Sequence, residues 1–422
     1  MNVASHKGVS GSPAVPVVNL VPAVPLLDVN RQYQPLKAEI MAAVTRVCDG
    51  GRFVLGPDCE QLEASLAAYC QSKYAIACAS GSDALLLALM AYDLGPGDEV
   101  LLPSYTFFAT ASAVWRTGAK PVFVDLEPTT FNIDPAKLES LITPATKAIL
   151  PVHLYGQCAE MDEINRIAKK HNLVVIEDAA QAIGAEYRGR RAGSLGDIGC
   201  ISFYPTKNLG GFGDGGALTT NSPQVAEKLK LLRAHGMQPR YYHQLVGINS
   251  RLDTVQAAVL NVKLPHLDDW SEQRATNAKR YTTLFTAAGL DRVLGLPSVA
   301  PHRRHVWNQY IVRVPDGNRD ALREHLTKHK IGTEIYYPVP LHLQACFKSL
   351  GCEAGSFPES ERAAVETIAL PIFPELTAPE QQTVVTAIGS FFRAKAVGNA
   401  GSVLAPPKMM TRRNSPSRGV AG

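Results

Sequence analysis

The chain has 422 residues, is 46% hydrophobic and carries 42 Lys and Arg against 38 Asp and Glu, a formal net charge of +4. A chain this long buries a large core and divides into about two or three domains. Six basic residues (Arg393, Lys395, Lys408, Arg412, Arg413 and Arg418) follow Glu380 with no acid among them, so the remainder stands at −2 and lacks the basic excess that nucleic-acid binding needs.

Residues 1–24 read as a disordered leader. The stretch 14–27 is apolar, yet Pro16, Asn19, Pro22 and Pro25 interrupt it, which argues against the helical core of a secretory signal. No run is long enough to cross a bilayer. Cys48, Cys59, Cys70, Cys78, Cys158, Cys200, Cys346 and Cys352 contain no Cys-x-x-Cys pair, so reduced thiols, no metal site and a cytoplasmic protein are expected.

Short apolar runs then alternate with segments of helical length, at residues 74–79, 99–103, 121–125, 148–152 and 173–177. The pattern predicts an α/β domain whose mostly parallel sheet is covered on both faces. Ligands of such sheets sit beyond the carboxyl ends of the strands. The first run ends in Ser80-Gly81-Ser82-Asp83, a glycine turn that suits a phosphate at a helix N-terminus or serves as an ordinary N-cap. The second ends in Pro103-Ser-Tyr-Thr-Phe107-Phe108, where one ring can cover a flat cofactor and at least one phenylalanine is plain core. The fifth ends in Glu177-Asp178-Ala-Ala-Gln181, an acid with an amide three residues on.

After a further run at 198–203 comes Ser202-Phe-Tyr-Pro-Thr-Lys207-Asn-Leu-Gly-Gly. Lys207 following Asp178 points to pyridoxal phosphate (PLP). That cofactor needs an amine to form a Schiff base with its aldehyde, and a carboxylate to keep its pyridine nitrogen protonated so that the ring accepts electrons. Alone, either residue is a loop lysine or a helix cap; jointly, four strand ends point to one ligand. Gly211-Phe-Gly213-Asp-Gly-Gly216 has the G-x-G-x-x-G spacing but leads into a strand at 216–220, whereas a dinucleotide fingerprint opens a helix.

Beyond a helix at 252–263, helices at 268–288, 318–329 and 379–393, with a strand at 309–314, predict a smaller C-terminal domain beginning near Pro265. The stretch 396–422, rich in Gly, Ser and Pro, is expected to be a disordered basic tail.

On these motifs, from residue 24 to about 391, the chain resembles the DegT and StrS family of PLP-dependent nucleotide-sugar aminotransferases. The resemblance implies fold type I of the aspartate aminotransferase superfamily: a large PLP-binding domain over 25–265, with a mostly parallel mixed sheet sandwiched by helices, and a smaller α+β domain over 266–395. It implies Ser82 and Asp83, through their amides, and Ser202 at the phosphate. Phe107 would stack on the ring, Asp178 meet the pyridine nitrogen, Gln181 the ring oxygen, and Lys207 form the Schiff base.

Gly247-Ile-Asn249-Ser-Arg251-Leu-Asp253 resembles the family segment whose asparagine reaches the neighbouring subunit's phosphate, so Asn249 implies a homodimer with shared sites; otherwise it is a turn residue. The stretch 333–344 resembles the substrate-side loop, closer to versions for 3-keto than 4-keto sugars. There Tyr336, Tyr337 and His342 bind substrate, or are packed aromatics and a capping histidine. Asn308 stands where relatives often have histidine, so no contact is carried over to it. The resemblance further implies L-glutamate as donor, a keto nucleotide sugar as acceptor, ping-pong kinetics and a place in amino-sugar and cell-surface polysaccharide biosynthesis. Two alternatives are a sugar dehydratase or lyase, whose relatives carry histidine in place of the lysine, and a non-catalytic regulator, for which no helix-turn-helix or basic face is present.

Overall fold

Runs of Val, Ile, Leu and Ala that are buried on both faces form central strands rather than amphipathic ones. In the computed structural model, which describes residues 23–402, they become β1 (Tyr74–Cys78), β2 (Glu99–Pro103), β3 (Lys120–Val124), β4 (Thr146–Ile149), β5 (Val174–Asp178), β6 (Ile198–Ser202) and β7 (Gly216–Thr220). They form one seven-stranded sheet in the order β1-β7-β6-β5-β4-β2-β3. β7 is antiparallel to both its neighbours, and all other pairs are parallel. Alternation fills two layers: Val100 and Leu102 enter one and Leu101 the other, as do Ile198 and Cys200 against Ile201.

The helices are α1 (Val29–Gly50), α2 (Pro57–Tyr69), α3 (Gly81–Ala91), α4 (Ala109–Thr117), α5 (Met161–His171), α6 (Pro223–Leu232), α7 (Thr254–Lys263), α8 (Leu267–Ala287), α9 (Arg319–Lys328), α10 (Pro358–Glu366) and α11 (Ala378–Ser402). Leu85 and Leu89 of α3, Val114 of α4 and Leu229 of α6 cover one face of the sheet. Ile164 of α5, Leu62 of α2 and Leu260 of α7 cover the other. Burying each such side chain contributes roughly 1.5–3 kcal/mol. The smaller domain pairs β8 (Tyr310–Arg313) with β9 (Thr367–Leu370), antiparallel, against α8, α9 and α11.

Three boundaries differ from expectation. Val24, assigned to the leader, is fully buried in the small domain's core and pairs with Ile331. Its N–H donates to Lys330 O at 3.0 Å and its carbonyl accepts from Gly332 at 2.8 Å, so an N-terminal segment completes the distant domain. The run at 148–152 pairs regularly only over Thr146–Ile149, because Pro151 has no N–H to extend the ladder. α11 continues past residue 395 into the stretch assigned to the tail, led in by Ala394, Lys395 and Ala396, which are good helix formers. The leader up to residue 22 and the tail from 403 lie outside the described residues.

Candidate active site

The tips of β5 and β6 lie side by side, Asp178 opposite Cys200. The two-residue period sends Glu177 and Asp178 to opposite faces. Glu177 is fully buried and accepts from the amides of Gly193 at 2.8 Å, Leu195 at 2.7 Å and Gly196 at 2.7 Å. His153 Nε2 lies 2.9 Å from the same carboxylate. The Ala159 N–H donates to His153 Nδ1 at 3.2 Å, so Nε2 carries the proton and donates it to Glu177. This satisfied carboxylate pins the strand end.

On the other face Asp178 accepts from Thr110 Oγ1 at 2.8 Å and from the Ala180 amide at 3.2 Å. Thr106 backs Thr110 at 3.2 Å. The Asp178 backbone is held on both sides, its N–H by Pro151 O at 2.9 Å and its carbonyl by the His153 amide at 3.0 Å. Burial pushes the Asp178 carboxyl above its ordinary range, against the Thr110 and Ala180 hydrogen bonds and the Lys207 charge. Burial also pushes Lys207 down to about 8, while the Asp178 charge pulls it upward. A lowered amine pKa supplies free nucleophile near neutral pH.

The turn bearing Lys207 is tightly held. Its own amide donates to Tyr204 O at 2.8 Å and Gly211 N–H to Phe203 O at 2.8 Å. Asn208 Nδ2 donates to Val306 O at 2.8 Å, and Lys263 donates to Gly210 O.

Beside this turn, α3 opens from Ser80, whose Oγ accepts from the Asp83 amide at 3.1 Å. The first amides, at Gly81 and Ser82, have no helical carbonyl to bond. A Cβ on Gly81 would stand 2.6 Å from Ser202 Cβ, and one on Gly216 would stand 2.4 Å from Ser80 O, so only glycine permits this close approach of helix and strand ends. Ser202 is buried and Ser82 exposed at this cradle. Asp83 departs from the expected role: its amide is taken by Ser80, and its carboxylate turns away to accept from Ser250 Oγ at 2.8 Å. That turn removes a negative charge from a site suited to an anion.

Gln181 Oε1 accepts from the Tyr155 amide at 2.7 Å, and its Nε2 donates to Tyr337 OH at 3.1 Å. Phe107 is 56% exposed, with its ring 6.0 Å from that of Tyr337. Phe108 instead packs on Phe347 at 5.6 Å. The Tyr336–Tyr337 peptide is gripped by two phenols: Tyr336 O accepts from Tyr105 OH at 2.6 Å and from Tyr155 OH, and the Tyr337 amide donates to Tyr105 OH at 2.7 Å.

The structure does not bring His342 to this cluster. Its side chain is 0% exposed, with Nε2 3.1 Å from Glu361 Oε1 and the ring edge on Phe357. Asn249 is exposed, one residue from the Ser250 that holds Asp83. Thr110, Tyr105 and Tyr155 are site-shaping residues not identified from the sequence. Thr110 had a signal, standing three residues after Phe107 in the first turn of α4, the helix that follows β2.

In kind, an acid backed by Thr110, a deprotonatable lysine, a glycine cradle with free amides and the Gln181–Tyr337 pair match a pyridine nitrogen, an aldehyde, a phosphate and a ring oxygen. Such a site on such a sheet defines a fold type I PLP-dependent aminotransferase. The chain belongs to the DegT/DnrJ/EryC1/StrS aminotransferase family, whose sequence profile matches residues 34–389. It is 53% identical to a Geobacillus stearothermophilus "pleiotropic regulatory protein" over 88% of this chain and 99% of that one. It is 47% identical to the Streptomyces venezuelae dTDP-3-amino-3,4,6-trideoxy-alpha-D-glucose transaminase over 87% and 96%. A crystal structure of S. venezuelae DesV in complex with a ketimine intermediate superposes with a TM-score of 0.85 at 45% identity, covering 88% and 98%. No helix among the described residues is long and apolar enough to cross a membrane, and none of their His, Cys, Asp and Glu form a group of three suited to a metal ion.

Proposed function

We propose that the chain moves the amino group of L-glutamate to the keto carbon of a nucleotide sugar, at C3 rather than C4, in two ping-pong half-reactions that serve amino-sugar and cell-surface polysaccharide biosynthesis. One observation carries the reading: the Lys207 amine, lowered to about 8, beside Asp178 at the carboxyl edge of the sheet. The 3-amino sugar in the name of the S. venezuelae relative supports C3.

PLP bound here supplies an electron sink for the carbon that loses its proton. Asp178, oriented by Thr110, holds negative charge at the ring nitrogen, and Phe107 covers one face of the ring. Lys207 Nζ takes the proton from the donor's α-carbon and later delivers one to the acceptor's carbon. Gly81, Ser82 and Ser202 hold the phosphate. Asn249 and the exposed apolar Phe53, Val54 and Phe212 meet a second copy, with Asn249 at the partner's phosphate in a homodimer with shared sites.

The test is the visible spectrum of the PLP-loaded protein. The band should disappear with L-glutamate and return with a 3-keto nucleotide sugar. A band indifferent to every donor and acceptor would instead support a regulator, the role in the G. stearothermophilus relative's name.

A further inference from the structure

The amide of Gln181 has only one orientation that satisfies its surroundings. The Tyr155 N–H, 2.7 Å away, can only donate, so the atom facing it is the carbonyl Oε1. The amino end therefore points at Tyr337, and the phenol oxygen accepts from it at 3.1 Å. A phenol that accepts still has its own proton to give, and no acceptor among the described residues takes it.

The ring carrying that proton is fixed from behind. Its backbone N–H is donated to Tyr105 OH at 2.7 Å, and the preceding carbonyl accepts from both Tyr105 and Tyr155. Its side stands 6.0 Å from Phe107. The groups acting on the phenol are Asp178, Tyr105, Gln181 and Tyr336; burial first, and then the Asp178 charge, raise its pKa against the Gln181 hydrogen bond and keep it protonated at neutral pH. Gln181 keeps a second N–H after bonding Tyr337, so the pair presents two donors side by side, one N–H and one O–H. Two convergent donors make a site for an oxygen that carries negative charge.

We propose that Tyr337 is a second hydrogen-bond donor, alongside Gln181, to the ring oxygen of the bound cofactor. The inference rests on the proposed placement of that oxygen at Gln181, and it assigns Tyr337 to the cofactor rather than to the sugar. In the loaded enzyme the ring oxygen would share the proton held by the Lys207 nitrogen. An outside donor competes for that oxygen and weakens the nitrogen's hold on its proton; without it the nitrogen holds the proton more tightly.

The experiment is a spectrophotometric pH titration of the PLP-loaded wild type, Tyr337→Phe, Gln181→Leu and the double variant, with KM and kcat for the keto sugar measured in parallel. Tyr337→Phe removes one oxygen and keeps the ring, and thermal melting checks its fold. The midpoint of the band change should move up by about one pH unit, tenfold in proton affinity, with the band retained. The double variant should shift by less than the sum of the single shifts, because the two donors are coupled. An unchanged midpoint with a raised KM for the sugar would overturn the proposal and return Tyr337 to the substrate. If Tyr337→Phe does not load PLP, an unmoved midpoint in Gln181→Leu overturns it equally. A wild type with no pH-dependent band would overturn instead the cofactor placement beneath it.

Discussion

At the scale of single residues, Lys207 stands between two opposing influences: burial lowers its pKa to about 8 and the Asp178 charge raises it. Only the neutral amine attacks a carbonyl. The rate at which the cofactor-free protein takes up PLP should therefore rise with pH and level off above about 8, as a stopped-flow absorbance series would record. Asp178→Asn removes the influence that raises the pKa, so its midpoint should fall; an unmoved midpoint would show that Asp178 does not act on the amine. Lys207→Ala should lower turnover by about 10²–10⁴-fold or more, the range for a lost positioned acid–base group, and steady-state assays at saturating PLP would show it. Lys207 and Asp178 were legible because an acid ending one strand and a lysine after the next make a local pattern. Thr110 and Tyr155 were not, because their partners lie 68 and 26 residues away in the chain. The partner of the Asp83 carboxylate was out of local reach in the same way: Ser250 is 167 residues distant.

At the scale of elements, the alternation of β5 puts a structural acid and a functional acid side by side. Glu177 accepts three amide N–H groups and the His153 proton on one face, which leaves Asp178 free to point into the site on the other. Glu177→Gln sets an amide NH₂ against those donors and should cost roughly 2–4 kcal/mol in urea unfolding. A loss below about 0.5 kcal/mol would show that the pocket relaxes around the amide. The cradle is equally specific: Gly81→Ala forces apart α3 and the Ser202 end of β6, and should weaken PLP binding at least ~10-fold by fluorescence titration. The order of strands and helices was legible from periodicity. The end of β4 was not, since the run at 148–152 stays apolar past the residue where Pro151 stops the ladder.

At the scale of the whole molecule, the small domain shows where local signals end. Its helices and its strand near 310 follow from periodicity, but Val24 enters its core from the far end of the chain and carries no local mark of doing so. The proposed dimer is tested by mixing variants. In a hybrid of Asn249→Ala and Lys207→Ala protomers, the Asn249→Ala protomer keeps its lysine and receives an intact asparagine from its partner. Excess Lys207→Ala protein should therefore restore wild-type PLP affinity to the Asn249→Ala sites. Affinity that stays weak in the hybrid would place Asn249 within its own chain's site.

The most direct test of the transfer itself follows one nitrogen atom. With PLP-loaded protein, L-[¹⁵N]glutamate and a 3-keto nucleotide sugar, mass spectrometry and NMR should find ¹⁵N bound at C3 of the sugar and an equal amount of 2-oxoglutarate. A sugar product without ¹⁵N, or label at another carbon, would contradict the account.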